Sequence, residues 1–179
     1  MNRQMNRRMR IIALVVVVLA AGSLLLAQDN PFVGTWKLNV AKSKYNPGPA
    51  PQSQTRTWDA MGMVMVNGVN AAGKQMSYGY TIKDDGKEYA TMGAIPNTAD
   101  KISSKKVDAN TYEATFTKAG SQVETTTFKV SDGGKTLTIH AKGKTAAGEF
   151  DNLQVWRSSS DFPFPSNHGE WRESTILRN

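Results

Sequence analysis

The chain contains no cysteine, so neither a disulfide framework nor a lipid anchor attached to cysteine is available to it. Histidine is nearly as scarce. His140 and His168 are the two, they share no ligand spacing, and no metal site is expected from them. Acidic residues are missing from the first 28 positions, and charge of either sign is missing from residues 11–27. Beyond residue 28, helical periodicity is missing as well, which argues against a helical or mixed α/β domain.

The first two gaps in charge make sense together. Arg3, Arg7, Arg8 and Arg10 precede the run IIALVVVVLAAGSLLLA, the order of a secretory signal: basic, then apolar, then small residues. As a helix the run would rise only about 25 Å, short of the ~30 Å hydrocarbon core. Residues 1–27 are therefore expected to be a signal peptide cleaved after Ala27, sending the protein to the periplasm or outside the cell. Cleavage after Ser23 and retention as an uncleaved anchor are the alternatives. Membrane contact is expected only through this segment before cleavage.

Four of the 22 basic residues leave with the signal and none of the 15 acids does, so the net charge falls from +7 to +3. Most of the apparent basicity belongs to targeting, and nucleic acid is not an expected partner. The remaining 152 residues suit one domain, expected to be a monomer, with a core large enough to dispense with staples.

That remainder alternates short runs rich in Thr, Val, Tyr and Phe with clusters of Gly, Asp and Asn. Strands are expected near 33–38, 54–60, 62–70, 75–83, 87–94, 101–107, 111–118, 122–130, 135–143 and 150–158. Turns recur every 10–14 residues without room for a crossover helix. The fold class that follows is all-β, an antiparallel up-and-down β-barrel of about ten strands over residues 28–158. Residues 39–54, with Pro47, Pro49 and Pro51, predict an extended connection. Residues 159–179 predict a loosely ordered tail, or else an arm that docks Phe162, Phe164 and Trp171.

Period-two alternation puts Met76, Tyr78, Tyr80 and Ile82 on one face of their strand. Tyr112, Ala114 and Phe116 share a face likewise, as do Leu137, Ile139 and Ala141, and Phe150, Asn152, Gln154 and Trp156. The threonines of residues 123–130 fall on both faces and read best as a solvated outer surface.

Pro31-Phe32-Val33-Gly34-Thr35-Trp36-Lys37-Leu38 resembles the opening strand of the calycin superfamily, which includes lipocalins and intracellular fatty-acid-binding proteins. The resemblance implies a lipocalin-like barrel closed at one end by Gly34 and Trp36, with Arg157 from the last strand packed across the indole. A guanidinium over an indole gains about 0.5–2 kcal/mol. Two features of the fatty-acid-binding branch are missing: a helical lid after the first strand, and an Arg-x-Tyr pair in the last. A similar Gly-Thr-Trp-Lys-Leu-Asn start and Pro-Gly-Pro linker occur in small exported bacterial proteins of unassigned function.

No catalytic constellation is expected. There is no Gly-x-Ser-x-Gly elbow, and Asp84-Asp85-Gly86-Lys87 and Asp132-Gly133-Gly134-Lys135 read as turns, lacking the complete calcium or phosphate patterns. His140 should sit on the barrel wall or surface, opposite Ile139. The expected function is non-catalytic binding of a small hydrophobic molecule, with no cofactor, by Trp58, Tyr78, Tyr80, Phe116 and Trp156. The rival expectations are a solid barrel that binds a protein or envelope surface through loops and tail, and a barrel enzyme using His140.

Overall fold

The computed structural model describes residues 30–159. The expected signal segment 1–27 and the tail beyond Ser159 lie outside them. The chain divides into two units after Pro31; of the first only Asn30 and Pro31 are described, and the barrel belongs wholly to the second.

Among the described residues there are eleven strands: β1 (Gly34–Leu38), β2 (Ser53–Trp58), β3 (Met63–Val69), β4 (Gln75–Thr81), β5 (Tyr89–Ala90), β6 (Met92–Gly93), β7 (Lys101–Asp108), β8 (Thr111–Lys118), β9 (Ser121–Ser131), β10 (Thr136–Thr145) and β11 (Gly148–Ser158). The sheet runs β5-β7-β8-β9-β10-β11-β1-β2-β3-β4-β6, and every pairing is antiparallel. First and last long strands pair with each other, Lys37 opposite Arg157. This is the up-and-down barrel that the meander of strands and turns leads one to expect.

The expected single strand at 87–94 is instead two. β5 pairs with β7 through Tyr89 and Ile102, whereas β6 pairs with β4 through Gly93 and Tyr78. Only Thr91 separates them, so the two ends of the sheet order are consecutive in the chain and the barrel closes through this crossing. Gly93 makes the crossing possible. Its φ is +71°, and a Cβ there would lie 2.5 Å from the Ser77 carbonyl oxygen. Farther along the same seam, the Ser104 hydroxyl donates to the Lys83 carbonyl at 2.8 Å and accepts from the Lys83 amide at 2.9 Å.

Residues 39–54 hold more structure than the prolines suggest. Asn39 caps a single 3₁₀ turn, Val40–Lys42, by accepting from the Lys42 amide. Lys44 then exchanges both backbone hydrogen bonds with Leu153 of β11, and the Asn46 carbonyl accepts from the Asp151 amide. Anchored in this way, the three prolines pass over one end of the barrel instead of trailing into solvent.

The other end is filled with aromatic side chains. Phe32 stands 4.8 Å from the Trp58 ring and 5.1 Å from Tyr112, and Trp58 meets Phe128 edge-on at 5.7 Å. Trp36 is buried beside them, its indole N–H donating to the Phe32 carbonyl at 2.9 Å. Gly34, with φ +142°, lets β1 enter this plug in a conformation that side chains disfavour.

Candidate functional site: a cavity on the barrel axis

Above the aromatic plug the barrel encloses a cavity of about 440 Å³, within the size range of small-molecule sites. Strand alternation decides what lines it. In β2 the inward positions are Gln54, Arg56 and Trp58; in β4 they include Tyr78 and Tyr80; in β9, Glu124, Thr126 and Phe128. Ile139 and Ala141 of β10 add apolar wall. Pro47, Pro49 and Pro51 rim the mouth, opposite the hairpin residues Ala71 and Ala72 and the segment Ile95-Pro96-Asn97.

Of the five expected lining residues, Tyr78, Tyr80 and Phe116 do line the cavity. Trp58 and Trp156 do not. Both are buried, but Trp58 lies deeper, in the plug against Phe32 and Tyr112. Trp156 is covered by the Arg56 guanidinium, whose Cζ is 4.7 Å from the ring centroid.

The expected contact of Arg157 with Trp36 is not made. Arg157 is opposite Lys37 in the β1–β11 ladder, and both side chains are on the exposed face, whereas Trp36 points inward and is 1 % exposed. Successive side chains of a strand alternate faces, so Trp156 inside requires Arg157 outside. The arginine that does cover an indole is Arg56, in β2, over Trp156.

No sequence motif marks Arg56, the most consequential residue of the site. It is 3 % exposed, and its Nη1 donates a short hydrogen bond to the Tyr80 hydroxyl. Its Nε is buried with no hydrogen-bond partner, as is the Tyr45 hydroxyl. Among the described residues no carboxylate forms an ion pair with it. A buried cation in that state carries a large desolvation cost that its surroundings only partly offset.

Glu124 is the second such residue, part-buried in the wall of the same cavity. The Asn97 side-chain amide donates to one carboxylate oxygen at 2.7 Å, and the Thr126 hydroxyl donates to the other. Desolvation raises its pKa above the usual glutamate range, against the opposing pull of those two hydrogen bonds and of the Arg56 charge. Burial likewise lifts the Tyr78 and Tyr80 phenols well above their ordinary range, so both are neutral. It pushes Tyr45 up to about 12.

His140 lies outside this site. It faces out of β10, opposite in phase to buried Ile139, and its Nε2 is 2.6 Å from Asp151 Oδ1. Lys142 approaches the same carboxylate at 3.1 Å, which makes an exposed polar cluster on the barrel wall. Among the described residues no three His, Asp or Glu side chains converge as metal ligands, and no helix is long and apolar enough to cross a membrane.

No known protein family and no curated protein matches the sequence. Among solved structures, the barrel is similar to the zebrafish ileal bile acid-binding protein complexed with cholic acid. The identity is 12 %, the TM-score 0.46, and the match covers 72 % of this chain and 98 % of that one.

Proposed function

We propose that this protein is an exported, non-catalytic barrel that holds a small hydrophobic ligand. The observation that carries this reading is the cavity: about 440 Å³, walled by Tyr78, Tyr80, Phe116, Phe128 and Ile139, and opening beneath the proline-rich segment. A solid barrel serving only as a scaffold would fill that volume with side chains, since interiors otherwise pack to crystal density. Here the aromatics fill one end and leave the other open. Export is supported by the basic-then-apolar pattern of residues 1–27.

The neutral dye N-phenyl-1-naphthylamine, which brightens in apolar surroundings, tests the cavity. The wild-type domain should bind it in a saturable manner. Ala141→Phe, which places a ring in the cavity from β10, should weaken that binding while circular dichroism stays unchanged. Failure of the wild-type domain to bind the dye would overturn the reading. For export, the intact mass of protein recovered from cell envelopes or medium should correspond to a chain beginning at Gln28 or Leu24. A full-length mass would refute cleavage.

A further inference from the structure

The cavity holds two charge-bearing side chains that an apolar ligand alone would not need. We infer that it takes an acidic ligand together with a proton, the acid group seated on Arg56 and the proton on Glu124. This rests on the cavity being a ligand site, and it adds what chemistry the ligand carries and how its uptake depends on pH.

The acid group follows from Arg56. Its guanidinium is 3 % exposed, reaches into the cavity from mid-strand and, among the described residues, hydrogen-bonds only to the Tyr80 hydroxyl, leaving Nε without a partner. Planar guanidinium groups with free N–H groups match the oxygens of a carboxylate, sulfonate or phosphate. The unpartnered hydroxyl of Tyr45, also in the lining, supplies another donor.

The proton follows from charge balance. In the empty cavity Arg56 and a Glu124 carboxylate sum to zero without touching. When an anion settles on Arg56, the pair it forms is neutral, and a charged Glu124 would be left facing a second negative group in a poorly hydrated space. Taking up one proton restores neutrality. Among the described residues, no other charged side chain lines the cavity. Arg56 comes from β2, Tyr78 and Tyr80 come from β4, and Tyr45 comes from the connection after β1; the tyrosines are neutral. The neighbouring strands β8 and β10 present Phe116, Ala141 and Gly143 beside Glu124, and the β6–β7 segment presents the uncharged Asn97. A proton on the oxygen that faces Thr126 leaves the other as a carbonyl acceptor for Asn97, and the Thr126 hydroxyl can turn to accept, so the acid can change state without releasing the mouth segment.

A pair of dyes separates these statements. 1-Anilinonaphthalene-8-sulfonate and N-phenyl-1-naphthylamine share a ring system and differ by one permanently charged sulfonate. Wild type should bind the sulfonate more tightly. Arg56→Gln should weaken it about ten- to hundredfold, the range for a lost charge-assisted hydrogen bond, and leave the neutral dye nearly unchanged. Above the pKa of Glu124, sulfonate affinity should fall about tenfold per pH unit, the slope of a single linked proton. Glu124→Gln should abolish that slope while still binding, which also guards against a misfolded Arg56 variant. If the neutral dye binds and the sulfonate binds no better, the acidic ligand is refuted while the cavity reading stands. A flat pH profile in wild type refutes the proton. If neither dye binds, the cavity reading falls and this inference with it.

Discussion

If Arg56 is present for a ligand, the empty protein should be more stable without it. The informative perturbation is Arg56→Met combined with Tyr80→Phe, which removes the cation and its hydroxyl partner together and orphans neither. What the double variant loses is three cation–π contacts, at 4.7 Å to Trp156, 5.7 Å to Tyr80 and 6.0 Å to Phe128, the set worth about 0.5–2 kcal/mol, and one hydrogen bond worth about 1 kcal/mol net; Glu124 also loses the attraction of the Arg56 charge and takes up a proton more readily. What it regains is the desolvation of a guanidinium that is 3 % exposed and has no carboxylate partner, which effectively costs several kcal/mol. The balance favours the double variant by about 1–3 kcal/mol, or about 3 °C of Tm per kcal/mol for a domain of this size. Urea unfolding followed by tryptophan fluorescence measures it, on protein refolded from denaturant so that no bound molecule is carried over. The m-value should not change, because the surface exposed on unfolding is nearly the same. Tyr80→Phe alone should destabilise by about 1–3 kcal/mol, since it leaves Nη1 buried without an acceptor. A double variant less stable than wild type by more than about 1 kcal/mol would refute the reasoning. Arg56 would then be a strut of the barrel, held by Trp156, and its unpartnered Nε would carry no functional meaning.

Glu124 carries a pH signature of opposite sign to an ordinary ion-paired acid. Its folded-state pKa is raised, so over the interval from 4.5 up to that raised value the folded chain binds more protons than the unfolded chain. Stability therefore falls as pH rises through the interval, and the penalty is absent below it. Melting curves from pH 4 to 8 should show Glu124→Gln overtaking wild type as pH increases; parallel curves would refute the assignment. Trp58→Ala should cost about 3–5 kcal/mol in urea unfolding, because the ring is 2 % exposed between Phe32 and Phe128 and the plug cannot collapse around the gap. A loss below about 1 kcal/mol would show that the plug repacks. Arg157→Ala should stay within about 0.5 kcal/mol in a thermal melt, as befits an exposed side chain. A larger loss would mean that Arg157 does cover Trp36. Gly143→Val should disrupt the β9–β10 ladder, since a Cβ at Gly143 would lie 2.1 Å from the Val123 carbonyl oxygen. Undiminished stability would contradict that spacing.

Much of the cavity was legible in period two, once one position per strand had been assigned to the inside. The inward set of β4 (Met76, Tyr78, Tyr80), with Ile82 just beyond it, and of β10 (Leu137, Ile139, Ala141) is as the alternation has it. The same rule, applied to β2, would have put Arg56 inside between Gln54 and Trp58, and applied to β9 would have put Glu124 in phase with Phe128 and Val130. Charge ordinarily marks the outer face, which conceals both residues in the sequence, and the threonines of β9 hide the phase. Arg157 departs from its expected place for a different reason. The calycin resemblance supplied a partner for Trp36, but the pleat, with Trp156 inside, sends the next side chain outward.

Strand number was nearly readable and strand closure was not. Turn residues mark where a hairpin reverses, because Gly, Asn and Asp relieve local backbone constraints. Nothing local says that residues 89–90 pair with one neighbour and 92–93 with another, since that choice depends on how far apart β4 and β7 stand once the seven strands between them have curved the sheet. The position of the prolines over the mouth depends in the same way on Lys44 meeting Leu153 more than a hundred residues along the chain. By itself, the sequence determined an all-β meander, its turns and the face on which most side chains lie, all consequences of backbone geometry over a few residues. Only the tertiary structure decided that the aromatics gather at one end, that the other end stays open, and that a buried arginine and a glutamate share the space between. Those outcomes depend on distances across the barrel, which no local pattern encodes.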